Sequence, residues 1–229
     1  MGRLYMRRLS PRLTRLLAGT AATPDAVTWA MVVSGLAAAL VLTVPSPWST
    51  VGAIALVQLQ LLFDCTDGEL ARWRGISGAR GIYIDRLAHY TTDAAVVAAV
   101  GVHADGGLGS VGGWTTVGLA GAVLVLVSRA QTDLVHVARA KVGLPAFEPT
   151  AVTPRAGGVR TARAALRRAP LNRLLLAWDL CVVLLVVAVV DAVAGSGVGD
   201  QVLSVVLVGV GCLVVVGHLV SILTSARLR

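Results

Sequence analysis

The sequence predicts an all-α integral membrane protein with six transmembrane helices, preceded by an N-terminal amphipathic helix at the membrane interface. Two observations support this class. First, 56% of the 229 residues are hydrophobic, the mean hydropathy is +0.79 and only 14% are charged, whereas a soluble domain carries about 25% charged residues. Second, the loops between the apolar segments are alternately rich in Arg and free of Arg and Lys. The positive-inside rule predicts this alternation for a polytopic membrane protein.

The first element is the segment 1–17, which mixes Arg with Leu, Tyr and Met. We expect it to form an interfacial helix with its apolar side in the lipid. A cleavable signal peptide is disfavoured because Arg12 and Arg15 interrupt the apolar stretch. Six further segments approach the roughly 20 apolar residues that a membrane span requires. They cover residues 27–45, 50–70, 82–103, 114–138, 174–194 and 201–223.

The basic residues predict the orientation of these spans. The loops 46–50, 104–113 and 195–200 contain neither Lys nor Arg, whereas the other loops and both termini are rich in Arg. Because positive charge marks the cytoplasmic side, both termini and the long loop 142–170 are predicted to be cytoplasmic. We interpret residues 1–229 as a single membrane domain.

Composition also bears on location and partners. The bias towards Ala, Val, Gly and Arg, with Lys141 as the single lysine, favours a bacterial plasma membrane. Aromatic residues make up only 4% of the chain, so a nucleic-acid partner, which would be bound by base stacking, is not expected. Membrane lipid is the expected surrounding and partner.

An acidic cluster stands at the predicted cytoplasmic ends of spans two and three. Asp64 and Asp67 are three positions apart, and Asp85 and His89 are four apart, so each pair shares one helical face. The basic linker between the spans brings both helix ends to one depth, and the four side chains are predicted to converge. Carboxylates at membrane depth are costly and usually functional. One or two Mg²⁺ or Mn²⁺ ions would relieve their repulsion and bridge to substrate phosphates.

The residues next to this cluster suit a phosphate ligand. Gly68 and Ala71 leave room for close approach, and Arg72 offers a planar set of donors that matches phosphate oxygens. The cluster therefore predicts a site for a diphosphate-containing substrate. The alternative for the carboxylates is that they only pair with nearby arginines, and the alternative for Arg72 is that it binds lipid headgroups or determines topology.

These residues resemble the signature of the CDP-alcohol phosphotransferase family, D-x2-D-G-x2-A-R-x(7–8)-G-x3-D-x3-D. The matching positions are Asp64, Asp67, Gly68, Ala71, Arg72, Gly81 and Asp85. The segment Thr23-Pro24-Asp25-Ala26-Val27-Thr28, with Gly35 beyond it, is similar to the start of the family's first span, and the segment 137–143 is similar to the end of its fourth.

The resemblance implies that a phospho-group is transferred from a CDP-linked donor to an alcohol, with release of CMP. Carried over, Asp64, Asp67 and Asp85 are metal ligands, and Asp67 also belongs to the nucleotide-binding frame. The rest of that frame comprises Gly68, Ala71, Arg72 and Gly81. We expect transfer of a phosphatidyl group from CDP-diacylglycerol to a small polar alcohol in phospholipid biosynthesis, by a homodimer. The alternatives are a soluble, inositol-like CDP-alcohol donor with a lipid or polar acceptor, and a catalytically silent member that binds nucleotide or lipid.

His89 departs from the signature, because the family carries there its fourth acidic residue, assigned as the base. An imidazole with an ordinary pKa of about 6.5 suits that role but binds Mg²⁺ less well than a carboxylate. Asp85, His89 and Asp93 fall on one face, so Asp93 either orients His89 or replaces the missing carboxylate through a water. We therefore assign all three as catalytic and count His89 also as a metal ligand. The alternative is that a second metal is lost and that activity is weakened or abolished.

A second polar group concerns the acceptor. Arg129 stands inside the fourth apolar segment, where a charge requires a partner. One interpretation is an internal pair with Asp133. The other is a pocket for an anionic headgroup formed by Arg129, Arg139 and Arg173.

Overall fold

The computed structural model describes residues 2–145, 177–195, 197–224 and 228. Its described residues are mostly helical and contain no strand, which confirms the all-α prediction. Arg173, the first residues of the segment 174–194 and most of the loop 142–170 lie outside the described residues. The helices are α1 (Gly2–Ala18), α2 (Pro24–Leu42), α3 (Pro47–Trp73), α4 (Ala79–Ala104), α5 (Gly113–Lys141), α6 (Ala177–Ala194) and α7 (Val198–Leu223), with a short 3₁₀ turn at Leu108–Ser110.

Four of these helices, α2, α3, α5 and α7, are long and apolar enough to cross a membrane. They also carry large apolar side chains on their outer faces, such as Val33, Leu40 and Leu213. A helix that is apolar on all sides is suited to lipid or to a protein interior. The remaining two predicted spans correspond to α4 and α6, and their placement across the membrane stays a prediction.

Local sequence fixes where α2 and α3 begin. The Thr23 hydroxyl accepts a hydrogen bond from the Ala26 N–H at 3.2 Å, and the Ser46 hydroxyl accepts one from the Trp48 N–H at 3.3 Å. Pro24 follows the first cap directly, as Pro47 follows the second. A capping hydroxyl satisfies a free N–H of the first turn, and proline fits there because its missing N–H is not needed.

The helices pack around α4 and α2. α2 contacts both α3 and α4, α4 also contacts α5 and α7, and α3 contacts α1 and α6. The buried apolar core lies towards the C-terminal halves of α2 and α4 and the N-terminal half of α3, and includes Leu42, Val57, Val97 and Leu207. The short linker between α3 and α4 is at the other end of the bundle. The polar residues that precede and follow this linker are therefore gathered at one end, away from the apolar core.

The contact between α4 and α5 depends on two glycines that face each other. A Cβ on Gly101 would lie 2.3 Å from the carbonyl oxygen of Trp114 and 2.7 Å from the Cα of Gly118. Real Cβ atoms do not approach a backbone this closely, so α4 and α5 come together only because both residues lack a side chain. Small residues at such crossings are typical of membrane helices.

Asp105 joins the end of α4 to the start of α5. Its carboxylate accepts hydrogen bonds from the backbone N–H groups of Gly112 (2.8 Å), Thr115 (2.6 Å) and Trp114 (3.2 Å). Hydrogen bonds from Thr115, followed by those of the other N–H groups, hold the pKa of Asp105 below its ordinary value. The carboxylate is thus the cap of α5.

We expect this cap to make stability depend on pH. A carboxyl whose pKa is lower in the folded state stabilises the fold above its unfolded pKa, and this contribution is lost as pH falls through the folded value. The thermal unfolding midpoint in detergent should therefore decrease below about pH 4, and less steeply in Asp105→Asn, which keeps an acceptor oxygen without the charge. Parallel pH profiles for the two proteins would contradict this assignment.

Candidate active site

Three of the predicted site residues come together where α3 nears its C-terminus and α4 begins. Nε2 of His89 lies 3.0 Å from Oδ1 of Asp64 and 3.8 Å from Oδ1 of Asp85. All three potential ligand atoms lie within 4.8 Å of one another. The side chains of His89 and Asp64 are 15% and 9% exposed, whereas that of Asp85 is 40% exposed. The cluster is therefore open on the side of Asp85.

A buried polar layer separates this cluster from the apolar core. Gln60, one turn before Asp64 on α3, donates a hydrogen bond from Nε2 to the Thr92 hydroxyl on α4 at 2.8 Å. A Cβ on Gly35 of α2 would lie 2.5 Å from Cγ2 of Thr92 and 2.8 Å from Oε1 of Gln60. The missing side chain at Gly35 thus lets this layer form, and the layer fixes the depth of α3 relative to α4.

Asp67 lies on the same side of α3 but bonds in another direction. Its Oδ2 accepts a hydrogen bond of 2.7 Å from the Thr28 hydroxyl of α2, and its Oδ1 accepts one of 2.6 Å from the N–H of Gly68. Asp67 is therefore not part of the three-residue group, although the sequence predicted that all four side chains converge. The negative charges of Asp64 and Asp85 are nevertheless close enough to repel that of Asp67. Thr28 was missed as a site residue, although it belongs to the segment 23–28 that resembles the family.

The predicted nucleotide frame lines the end of α3 and the start of α4. The guanidinium of Arg72 lies over Gly68, where an added Cβ would be 3.3 Å from Nη1, so Gly68 provides the space that Arg72 occupies. Gly81 is exposed at the start of α4. Beside it, Nε of Arg80 forms a 3.0 Å ion pair with Asp25 at the start of α2. Ala71, which directly precedes Arg72 on α3, is half-buried.

The charged residues of α4 and α5 pair differently from the sequence interpretation. Arg129 forms an ion pair with Asp93 of α4, and Asp133 accepts a 3.1 Å hydrogen bond from Tyr90 and lies 3.3 Å from Nη1 of Arg86. The internal Arg129–Asp133 pair is therefore replaced by two contacts between helices, because α5 packs against α4. The carboxylate of Asp93, expected to orient His89, is held by Arg129.

Arg139, the second arginine predicted to bind the acceptor, is buried near the end of α5. Its Nε donates a hydrogen bond to the carbonyl oxygen of Pro145 at 2.9 Å. With Arg129 bound to Asp93 and Arg173 outside the described residues, the three arginines are not seen as one pocket. Their role in acceptor binding stays a prediction.

Glu69, inside the signature, fastens α1 to α3. Its carboxylate accepts hydrogen bonds from Ser10 at 2.6 Å and Thr14 at 2.8 Å, and both hydroxyl residues are buried. Arg74 completes the attachment by donating to the carbonyl oxygens of Leu17 (3.2 Å), Thr20 (2.8 Å) and Ala22 (2.6 Å). The sequence alone could not predict these contacts, since the partners are more than 50 residues apart.

Glu69→Ala should destabilise the protein by about 1–3 kcal/mol, because it leaves two buried hydroxyl groups without their acceptor. The midpoint of thermal unfolding in detergent micelles measures the effect. Glu69→Gln keeps one acceptor oxygen and is the matched control, with a smaller loss. Equal stability of Glu69→Ala and the natural protein would show that the attachment of α1 does not depend on this carboxylate.

The donor set of Asp64, Asp85 and His89 fits a divalent cation. Around an ion with bonds of about 2.1 Å, adjacent ligand atoms are about 3.0 Å apart and opposite ones about 4.2 Å. The separations of 3.0 and 3.8 Å fall within this range. Two carboxylates and a neutral imidazole also match the charge of one divalent ion.

The site and fold agree with the comparison to known protein families. The model of the CDP-alcohol phosphatidyltransferase family matches residues 21–216, and the chain belongs to this family. It is therefore a phosphotransferase of phospholipid biosynthesis and an integral membrane protein, consistent with its four candidate spans.

One solved structure with a similar fold is the apo form of phosphatidylinositol phosphate synthase (PgsA1) from Mycobacterium tuberculosis. The TM-score is 0.56, and the alignment covers 95% of this chain and 98% of that chain at 20% sequence identity. No curated protein sequence is significantly similar to this chain.

Proposed function

We propose that the protein transfers a phosphatidyl group from CDP-diacylglycerol to a small polar alcohol and releases CMP. The observation that carries this proposal is the convergence of Asp64, Asp85 and His89 within 4.8 Å inside the family signature. The structural relative is by name a phosphatidylinositol phosphate synthase, which makes inositol phosphate the first acceptor to test.

In the proposed reaction, Asp64, Asp67, Asp85 and His89 would hold one or two Mg²⁺ or Mn²⁺ ions, which would supply positive charge to stabilise the diphosphate as CMP departs. The nucleotide is received by Arg72, whose guanidinium lies over Gly68, together with the small residues Ala71 and Gly81.

The acceptor hydroxyl forms a bond to the phosphorus of the phosphatidyl group, and the bond from this phosphorus to the oxygen of CMP breaks. The hydroxyl proton passes to Asp85, which lies on the open side of the cluster, or to His89 if its Nε2 is not bound to the ion. Asp93, paired with Arg129, is close enough for its negative charge to act on the imidazole of His89. Arg129, Arg139 and Arg173 are the arginines proposed for the acceptor.

The proposed setting is a bacterial plasma membrane, crossed six times, with α1 at the interface and both termini and the active site in the cytoplasm. The Arg-rich and Arg-free loops support this orientation. We further propose a homodimer, on the family resemblance alone.

A panel of donors and acceptors tests the proposal. The purified protein is given labelled CDP-diacylglycerol with glycerol phosphate, inositol phosphate, serine or inositol, and CMP and lipid products are measured. Metal-dependent CMP release with one of these acceptors supports the proposal. Product formation only from a soluble CDP-alcohol would overturn the donor assignment, and nucleotide binding without turnover from any donor would identify a silent family member.

His89→Asp restores the acidic residue of the signature. It distinguishes a natural site in which the histidine is functional from one that the histidine impairs. We expect CMP release to change by less than about tenfold, since an imidazole can serve in general base catalysis or as a metal ligand. Initial rates at saturating donor and metal provide the measurement. A much larger activation would show that the natural site is impaired by its histidine.

A further inference from the structure

We propose that Nε2 of His89 is a metal ligand and that the resulting nitrogen–oxygen donor set makes the site prefer Mn²⁺ to Mg²⁺. The inference rests on the proposed metal dependence and concerns the one position at which this chain departs from the signature. Two features of the site support it: the atom of His89 that faces the carboxylates, and the charges around that atom.

The geometry places a single imidazole nitrogen among the carboxylates. Nε2 faces Asp64 at 3.0 Å and Asp85 at 3.8 Å. In the absence of an ion, Nε2 can donate a hydrogen bond to Asp64. A cation between the carboxylates would meet the lone pair of the same nitrogen, because a histidine ligand binds in its neutral form.

The charges near His89 support one divalent ion in this position. Asp64 and Asp85 together carry two negative charges, which one such ion balances. The next carboxylate along α4 is Asp93, and its charge is already compensated by Arg129. Asp67 is directed to Thr28 and its own neighbouring N–H. The three-residue group is therefore the part of the cluster most suited to a single ion.

The chemistry of the donors then sets the preference. Mg²⁺ favours oxygen ligands and gives up its water reluctantly. A nitrogen in place of a carboxylate oxygen therefore weakens Mg²⁺ binding, and it also removes a negative charge from the site. Mn²⁺ also favours oxygen ligands and is the weakest binder of the divalent first-row transition metals, but as a transition-metal ion it accepts an imidazole nitrogen more readily than Mg²⁺ does. A site with histidine at this position thus discriminates between two ions that an all-carboxylate site holds on more similar terms.

Electron paramagnetic resonance of Mn²⁺ bound to the full-length protein in detergent tests this inference without using activity. Loss of the sharp signal of free Mn²⁺ measures binding, and Mg²⁺ is added as competitor. In the natural protein, electron spin echo experiments should show the modulation of a directly bound nitrogen. In His89→Asp this modulation should disappear, and the ratio of Mn²⁺ to Mg²⁺ affinity should fall by about tenfold or more, because the nitrogen that favours Mn²⁺ is replaced by an oxygen that suits both ions.

His136→Asn is the matched control. His136 is exposed on α5, so its replacement should leave both the modulation and the affinity ratio unchanged. Mn²⁺ binding without nitrogen modulation, or an affinity ratio unaffected by His89→Asp, would overturn the inference and leave the proposed function intact. Failure of the natural protein to bind Mn²⁺ or Mg²⁺ at all would overturn the proposed metal dependence together with it.

Discussion

Asp64→Asn is expected to lower the rate of CMP release about 10²–10³-fold, the loss typical of removing one contact to developing charge, because the cation that Asp64 would hold supplies that contact. Asp64 is the most buried carboxylate of the three-residue group and is the only one contributed by α3. The substitution keeps the shape of the side chain and removes its charge, so the cluster loses half of the negative charge supplied by Asp64 and Asp85. Initial rates of CMP release at several metal concentrations measure the effect.

The control for this prediction is Asp105→Asn, which makes the same chemical change at the opposite end of α4 and keeps an acceptor for the N–H groups of α5. We expect Asp105→Asn to retain nearly full activity at neutral pH, whereas excess metal should restore Asp64→Asn only in part. If Asp64→Asn keeps the activity of the natural protein, the group formed by Asp64, Asp85 and His89 is not the reaction centre, and the metal role must be sought around Asp67.

The sequence was most informative where function depends on spacing along one helix. The intervals between Asp64, Asp67, Asp85 and His89 indicated which carboxylates share a face, and the structure brings three of the four residues together. It directs Asp67 instead to Thr28, because α2 packs against α3 at that level. No local pattern reveals such a partner, since the hydrogen bond joins residues 39 positions apart.

The same limit applies to the fold. Apolar length predicted the described helices well, because the cost of exposing backbone groups to lipid enforces helical structure in such segments. Pairing between helices was not predictable in this way. Arg129 and Asp133 stand four apart and suggested a pair on one helix, but each finds its partner on α4, and the choice depends on how deeply α4 and α5 are set against each other. That depth is fixed by the glycines at their crossing.

Gly101→Ala should therefore cause the largest loss of stability among conservative substitutions in α4. The new methyl group would lie 2.3 Å from the carbonyl oxygen of Trp114 and 2.7 Å from Cα of Gly118. These are backbone atoms, which cannot turn away as a side chain can, so α4 and α5 must separate. Overpacking of this kind costs about 1–3 kcal/mol and occasionally more, which exceeds the 0.5–1 kcal/mol that alanine gains over glycine in a helix.

Thermal unfolding in detergent micelles checks this prediction against Gly209→Ala in α7, where nothing lies within 4 Å of the added methyl group. Gly209→Ala should be neutral or slightly stabilising, and Gly118→Ala should resemble Gly101→Ala, because its methyl group would lie 2.8 Å from Cα of Gly101. Equal unfolding midpoints for Gly101→Ala and Gly209→Ala would contradict the close crossing. Since α4 carries Asp85 and His89, separation of the two helices should also reduce CMP release in the fraction that remains folded, which links the packing of two glycines to the geometry of the site.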